Sequence, residues 1–98
     1  MNAVKQVFNE DRRLAILRFL SEDRGYALNT SVLQAALCAI GHCLSRDEVD
    51  THAAWLSEQG LVDVDPMGPV TVVRLTPRGA DVAAGHATQP GVKRPMPR

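Results

Sequence analysis

Aromatic side chains are scarce in this sequence, with one Trp, one Tyr and two Phe among 98 residues. A core built from it must be filled by Leu, Val, Ile and Ala, which suits packed helices. No apolar run is long enough for a membrane span and no charged-then-apolar leader opens the chain, so a cytoplasmic protein without a membrane partner is expected. Cysteine is limited to Cys38 and Cys43, too few and too close in sequence for the disulfide framework of a secreted domain. Net charge is also missing, since eleven Lys and Arg balance eleven Asp and Glu. No Ser-His-Asp arrangement, phosphate loop or close carboxylate pair stands out, so an enzyme is the least favoured class and no cofactor is expected.

What is present is the composition of one globular domain, 45% hydrophobic and 22% charged. The charge is unevenly spread. Residues 1–28 carry a net +1, residues 29–60 a net −3, residues 61–85 a net −1 and residues 86–98 a net +3. A dedicated DNA binder usually carries its basic footprint on its reading elements, whereas here it lies at the two ends.

"NAVKQVFNEDRRLAILRFLSED" reads as a helix with two apolar sectors, Val7, Leu14 and Leu17 on one and Ile16, Phe19 and Leu20 on the other. One stripe is enough to cover a monomer. Two sectors are explained by a homodimer, with Val7, Leu14, Ile16, Leu17 and Phe19 as candidate dimerisation residues, or by other helices of the same chain covering both. After the break "GYALNT", "TSVLQAALCAIG" reads as a second helix capped by Asn29 or Thr30, with Val32, Leu33, Ala36, Leu37 and Ile40 buried and Gly41 at its end. Ser45 and Glu48 form a capping box for a third helix, which turns Val49, Ala53 and Leu56 inward with His52 beside them. Asp47, Asp50, Thr51, Ala54 and Glu58 face outward, and Gly60 stops the helix.

"LVDVD" and "VTVVRLT" predict a two-stranded hairpin turning at Asp65-Pro66-Met67-Gly68. Thr76 and Pro77 open a short last helix. These residues make a domain over 1–87, followed by a basic, Pro-containing flexible tail over 88–98.

This order of elements is that of a winged helix-turn-helix, a mainly α fold with a two-stranded β-hairpin as its wing. "VDTHAAWLSEQGLV" followed by "RLTPRG" resembles the pattern of winged-helix regulators such as the MarR and PadR families. Over nearly its whole length the chain also resembles small proteins of Mu-like prophages, in "EDRRLAILRFL", "LNTSVLQAAL", "SRDEV", "WLSEQGLV", "RLTPRGADVA" and "PGVKRP". None of these pieces is a catalytic motif. The resemblance implies a phage or prophage origin and a winged-helix fold.

In a winged helix that reads double-stranded DNA, the outward face of the third helix enters the major groove. The candidate contacts are Arg46 to guanine, Thr51 to a phosphate or thymine methyl, and Asp50 to cytosine, with Arg74 near the wing. Lys93, Arg94 and Arg98 supply either a basic handle that follows phosphate without reading sequence or simple solubility. Arg12, Arg13, Arg18 and Arg24 either contact phosphate, if a dimer aligns them with a groove, or, as is commoner for such a mixed run, face solvent paired with Glu10, Asp11, Glu22 and Asp23. Glu48 and Asp47 serve the helix start, while Asp50 and Glu58 have no such local role and any contact they make to a base must first approach the phosphate field. Cys38, His42, Cys43 and His52 lack metal-site spacing and resemble ordinary packing, so no metal is expected, and Trp55 belongs to packing rather than base stacking. The sequence therefore reads as a prophage DNA-binding regulator. The alternative is a winged helix used for contact with a phage protein in assembly or packaging.

Overall fold

A computed structural model describes residues 2–96. Four helices and a small antiparallel sheet form a winged helix-turn-helix: α1 (Ala3–Glu22), β1 (Ala27–Asn29), α2 (Thr30–Ala39), α3 (Arg46–Glu58), β2 (Val62–Met67), β3 (Val70–Leu75) and α4 (Pro77–Ala84). Each helix start is fixed by a side-chain oxygen that satisfies otherwise orphaned amides. Asn2 accepts from the Val4 and Lys5 amides, Asn29 from Val32, and Thr76 from Gly79. At α3 both arms of the expected capping box are made, with Ser45 Oγ accepting the Glu48 amide at 3.1 Å and Glu48 Oε1 accepting the Ser45 amide at 3.3 Å. Gly60, at φ +74°, releases the chain from α3 into β2.

The sheet has three strands in the order β1-β3-β2. The additional strand is Ala27–Asn29, within the segment expected to be a plain break, and it pairs with Val72–Arg74. Strand β1 is anchored where it passes into α2, because the buried Thr30 hydroxyl accepts the Thr71 amide at 3.2 Å. The hairpin turn also differs from expectation. Met67 pairs with Val70, so the turn residues are Gly68 and Pro69, with Gly68 at φ +64° as a tight hairpin turn requires. Asp65 and Pro66 belong to β2, and Pro66 is tolerated because β2 is an edge strand.

One core joins all the layers. Leu14, Ile16, Leu17 and Leu20 of α1 meet Leu33 and Leu37 of α2, Val49, Ala53 and Leu56 of α3, Leu61, Val62 and Val73 of the wing base, and Val82 and Ala83 of α4. The two sectors of α1 are thus largely covered within the chain, which corrects the assignment of Leu14, Ile16 and Leu17 to a dimer interface. Phe19 is half-buried against the same core, and Val7 remains 61% exposed. On α2 the expected stripe is narrower, with Val32 and Ile40 on the surface.

The last segment is not a free tail. Val92 lies in the core, and the Lys93 amide donates to the Glu10 carbonyl at 3.1 Å. Residues 91–93 therefore strap across α1. Cys38 is on the surface rather than packed inside, and it is joined to Cys43 by a disulfide that ties the end of α2 to the connector before α3.

Candidate functional site

The fold presents α3 with Val49, His52, Ala53 and Leu56 inward and Asp47, Glu48, Asp50, Thr51, Ala54 and Glu58 exposed. Its first turn is acidic for a local reason, since Asp47 and Glu48 lie at the positive end of the helix dipole. The Glu48 carboxyl is held below the usual range by its hydrogen bond from the Ser45 amide, and next by that from the Ser45 hydroxyl. Asp50 lies beyond the first turn, and Glu58 sits in the last turn, at the negative end of the dipole, where an acid gains nothing from it.

Arg46 is the one cation of α3, and it is already engaged. Its Nε donates to Gln34 Oε1 at 3.0 Å, while Gln34 Nε2 donates to the Leu44 carbonyl at 2.9 Å. This chain of contacts joins α2 to the start of α3 across the connector. The Thr51 hydroxyl is turned back as well, donating to the Asp47 carbonyl at 2.9 Å. On the wing, Asp63 and Asp65 are exposed, Arg74 stands opposite Asp63 in register, and Val64 and Met67 present apolar surface. Across α3 and the two wing strands, Arg46 and Arg74 face Asp47, Glu48, Asp50, Glu58, Asp63 and Asp65, a net charge of −4.

The basic residues near the C-terminus lie elsewhere. Lys93 Nζ sits 3.5 Å from Asp11 on α1, and Arg94 donates to Thr88 Oγ1 at 3.3 Å. Arg98 lies outside the described residues. The structure brings together Arg46, Asp50 and Thr51 on one helix, and does not place Lys93 or Arg94 on that helix's outward face.

Two arginines expected in solvent or on phosphate instead organise the junction of α1 with its neighbours. Arg13 stacks over Trp55, its guanidinium carbon 4.0 Å from the ring centroid, while Nε donates to His52 Nδ1 at 3.3 Å and Nη1 to the Gly91 carbonyl at 3.0 Å. Trp55 is thus occupied by packing. Arg12 Nε donates to His42 Nδ1 at 3.2 Å, which leaves His42 Nε2 to donate to Asp11 Oδ2 at 2.7 Å. That bond, ahead of the Lys93 charge, lowers the Asp11 pKa against the opposing effect of burial. Sequence periodicity could not find these contacts, because they join residues 30 to 78 positions apart.

The described residues contain no group of three or more His, Cys, Asp or Glu side chains able to hold a metal, and none of their helices is long and apolar enough to cross a membrane. No protein-family model matches the chain. It is 50% identical over 95 residues to the "Uncharacterized protein gp26" of Escherichia phage Mu, covering 97% of this chain and 98% of that protein. A Haemophilus influenzae "Uncharacterized protein" is 46% identical over 61 residues, 62% of this chain and 59% of that protein. With near-complete coverage at this identity, the chain belongs to the phage protein family that includes gp26 of phage Mu.

Proposed function

We propose that this phage-associated winged helix docks on a protein partner with a basic surface, through the outward face of α3 and the wing. The observation that carries the proposal is the net −4 charge of those elements, with Arg46 committed to Gln34. A groove lined with phosphate repels such a face, whereas a Lys- or Arg-rich protein surface complements it. The exposed Met67, on the same strand face as Asp63 and Asp65, adds apolar area beside the acids, as protein interfaces require.

The second reading is a DNA-binding transcriptional regulator, which the winged-helix order of elements favours by analogy of fold. Fluorescence anisotropy with phage DNA and unrelated DNA, each across a salt series, separates the two. The docking reading expects no discrimination between sequences and no loss of binding on Arg46→Ala. Sequence-selective binding that Arg46→Ala weakens would transfer the function to DNA. In infected cells, a photocrosslinker at Ala54 should capture a defined phage or host protein, and Asp50→Lys should abolish that product. A crosslink to DNA at position 54 would refute docking on protein.

A further inference from the structure

We infer that the cleft between the first half of α1 and the start of α3 binds the oxyanion group of a small molecule, a carboxylate or a phosphate. The cleft measures about 270 Å³ and is lined by Lys5, Asn9 and Arg13 from α1 and by Glu48, Thr51 and His52 from α3.

Its lining carries hydrogen-bond donors that have no protein acceptor among the described residues. Arg13 uses Nε and Nη1 on His52 and Gly91, which leaves Nη2 free of protein partners among the described residues. His52 Nδ1 accepts from Arg13, so the ring proton sits on Nε2. Nothing in the described residues accepts that proton, and the nitrogen is not sealed in the interior. Asn9 Oδ1 accepts from Arg12, which leaves its amide hydrogens to donate. Lys5, on the exposed rim, forms no ion pair among the described residues.

Arg13 is the unusual member of the set. It is a half-buried guanidinium with no carboxylate at ion-pair distance among the described residues. Removal from water lowers its pKa, with the more distant Glu10 charge opposing the shift. A half-buried guanidinium whose Nη2 has no protein partner among the described residues, and which lacks a counter-ion there, is matched by an oxyanion. Glu48 is the one acid in the lining, and its Oε1 is turned back to the Ser45 amide and hydroxyl at 3.3 and 3.2 Å.

The charged and titratable groups acting on His52 are Arg13 and Arg12 from α1, Glu48 from its own helix, and His42 from the connector. A bound anion adds a negative charge to a cluster dominated by cations, so it raises the His52 pKa. Glu48 and Thr51 also belong to the outer face of α3, so occupancy alters the charge beside the proposed docking surface.

The test is a titration of the full chain with inorganic phosphate, and separately with acetate, at constant ionic strength. It is followed by amide NMR shifts and by the fluorescence of Trp55, the sole tryptophan. Saturable shifts centred on Asn9, Arg13, Thr51 and His52 are expected, with a rise in the His52 pKa. The probe that saturates identifies a tetrahedral or a planar anion. Lys5→Ala, on the surface, should weaken binding several-fold, and His52→Leu about tenfold, the scale of a lost charge-assisted contact, while His52→Gln retains it. Shifts that never saturate with either probe, shifts centred on Arg78 or Arg94, or unchanged affinity in both weakening variants would overturn the site.

Discussion

Replacing Gly79 with Ala sets two effects of opposite sign against each other. Gly79 lies in the first turn of α4, where helix propensity alone favours Ala by up to about 1 kcal/mol. The added carbon has nowhere to go. It would overlap the Leu61 carbonyl and lie 2.8 Å from Leu75 Cδ1. That carbonyl also accepts the Thr76 amide at 3.1 Å, and Thr76 Oγ1 binds the Gly60 carbonyl at 2.8 Å. The obstacle is therefore backbone held from two sides, and overpacking at such a joint costs about 3 kcal/mol, the upper part of the usual range. The net destabilisation is about 2 kcal/mol, a fall in melting temperature of about 8–16 °C for a domain of this size. Urea unfolding should show the midpoint falling with the slope unchanged. Gly25→Ala is the control, since its added carbon meets only Asp23 Oδ2 at 3.4 Å. Equal or greater stability for Gly79→Ala would refute the close approach of α4 to the start of the wing.

Acid should weaken the fold through His52, whose pKa is lowered from 6.5 to about 4, chiefly by burial and then by the Arg13 charge. Because the unfolded chain takes up this proton first, stability is full above about pH 6.5 and falls towards pH 4, by on the order of 3 kcal/mol in all. His52→Gln should flatten that slope in pH-dependent unfolding, and an unchanged slope would remove His52 as its source. Reducing the Cys38–Cys43 bridge, which spans a sequence separation of 5, should cost about 2 kcal/mol by loop-closure entropy. A chelator should leave the melting temperature unchanged, and alkylation of both cysteines without reductant would contradict the bridge. Ending the chain at Gln89 removes buried Val92 and should lower stability by about 2 kcal/mol; unchanged unfolding would show that the strap contributes nothing.

Local chemistry made most of the fold legible. The Ser45–Glu48 box, the Asn29 and Thr76 caps and Gly60 each act within a few residues, so sequence spacing reveals them. The errors concern contacts made across the chain. Three residues of β1 cannot announce a strand whose partner lies more than 40 positions away. The hairpin register was displaced because Asp65-Pro66 carries turn chemistry that an edge strand tolerates. Val92 is one apolar residue in a polar segment, and only the space beside α1 makes it core. The sectors of α1 were correctly apolar, but periodicity states that a face is covered without stating by what. The partners of Arg13 were hidden for the same reason.

The inner face of α3 is dictated by packing, so any chemistry selected for function must lie on the residues that packing leaves free. There the helix dipole accounts for Asp47 and Glu48 but not for Asp50 or Glu58. An unscreened unit charge 4 Å from a phosphate costs between about 1 and 4 kcal/mol, depending on how much water intervenes. Two cations cannot offset six such approaches, and Arg46 would first have to leave Gln34. Moving Lys93 to help would require breaking its contact with Asp11 and drawing the strap away from α1. The same acids that oppose a nucleic-acid groove attract a basic protein surface over several ångströms before contact, and they do so without rearranging the junction that Arg46 and Gln34 hold. Charge placed where the fold does not demand it therefore supports the proposed docking on a protein partner, and the winged-helix scaffold is compatible with that use.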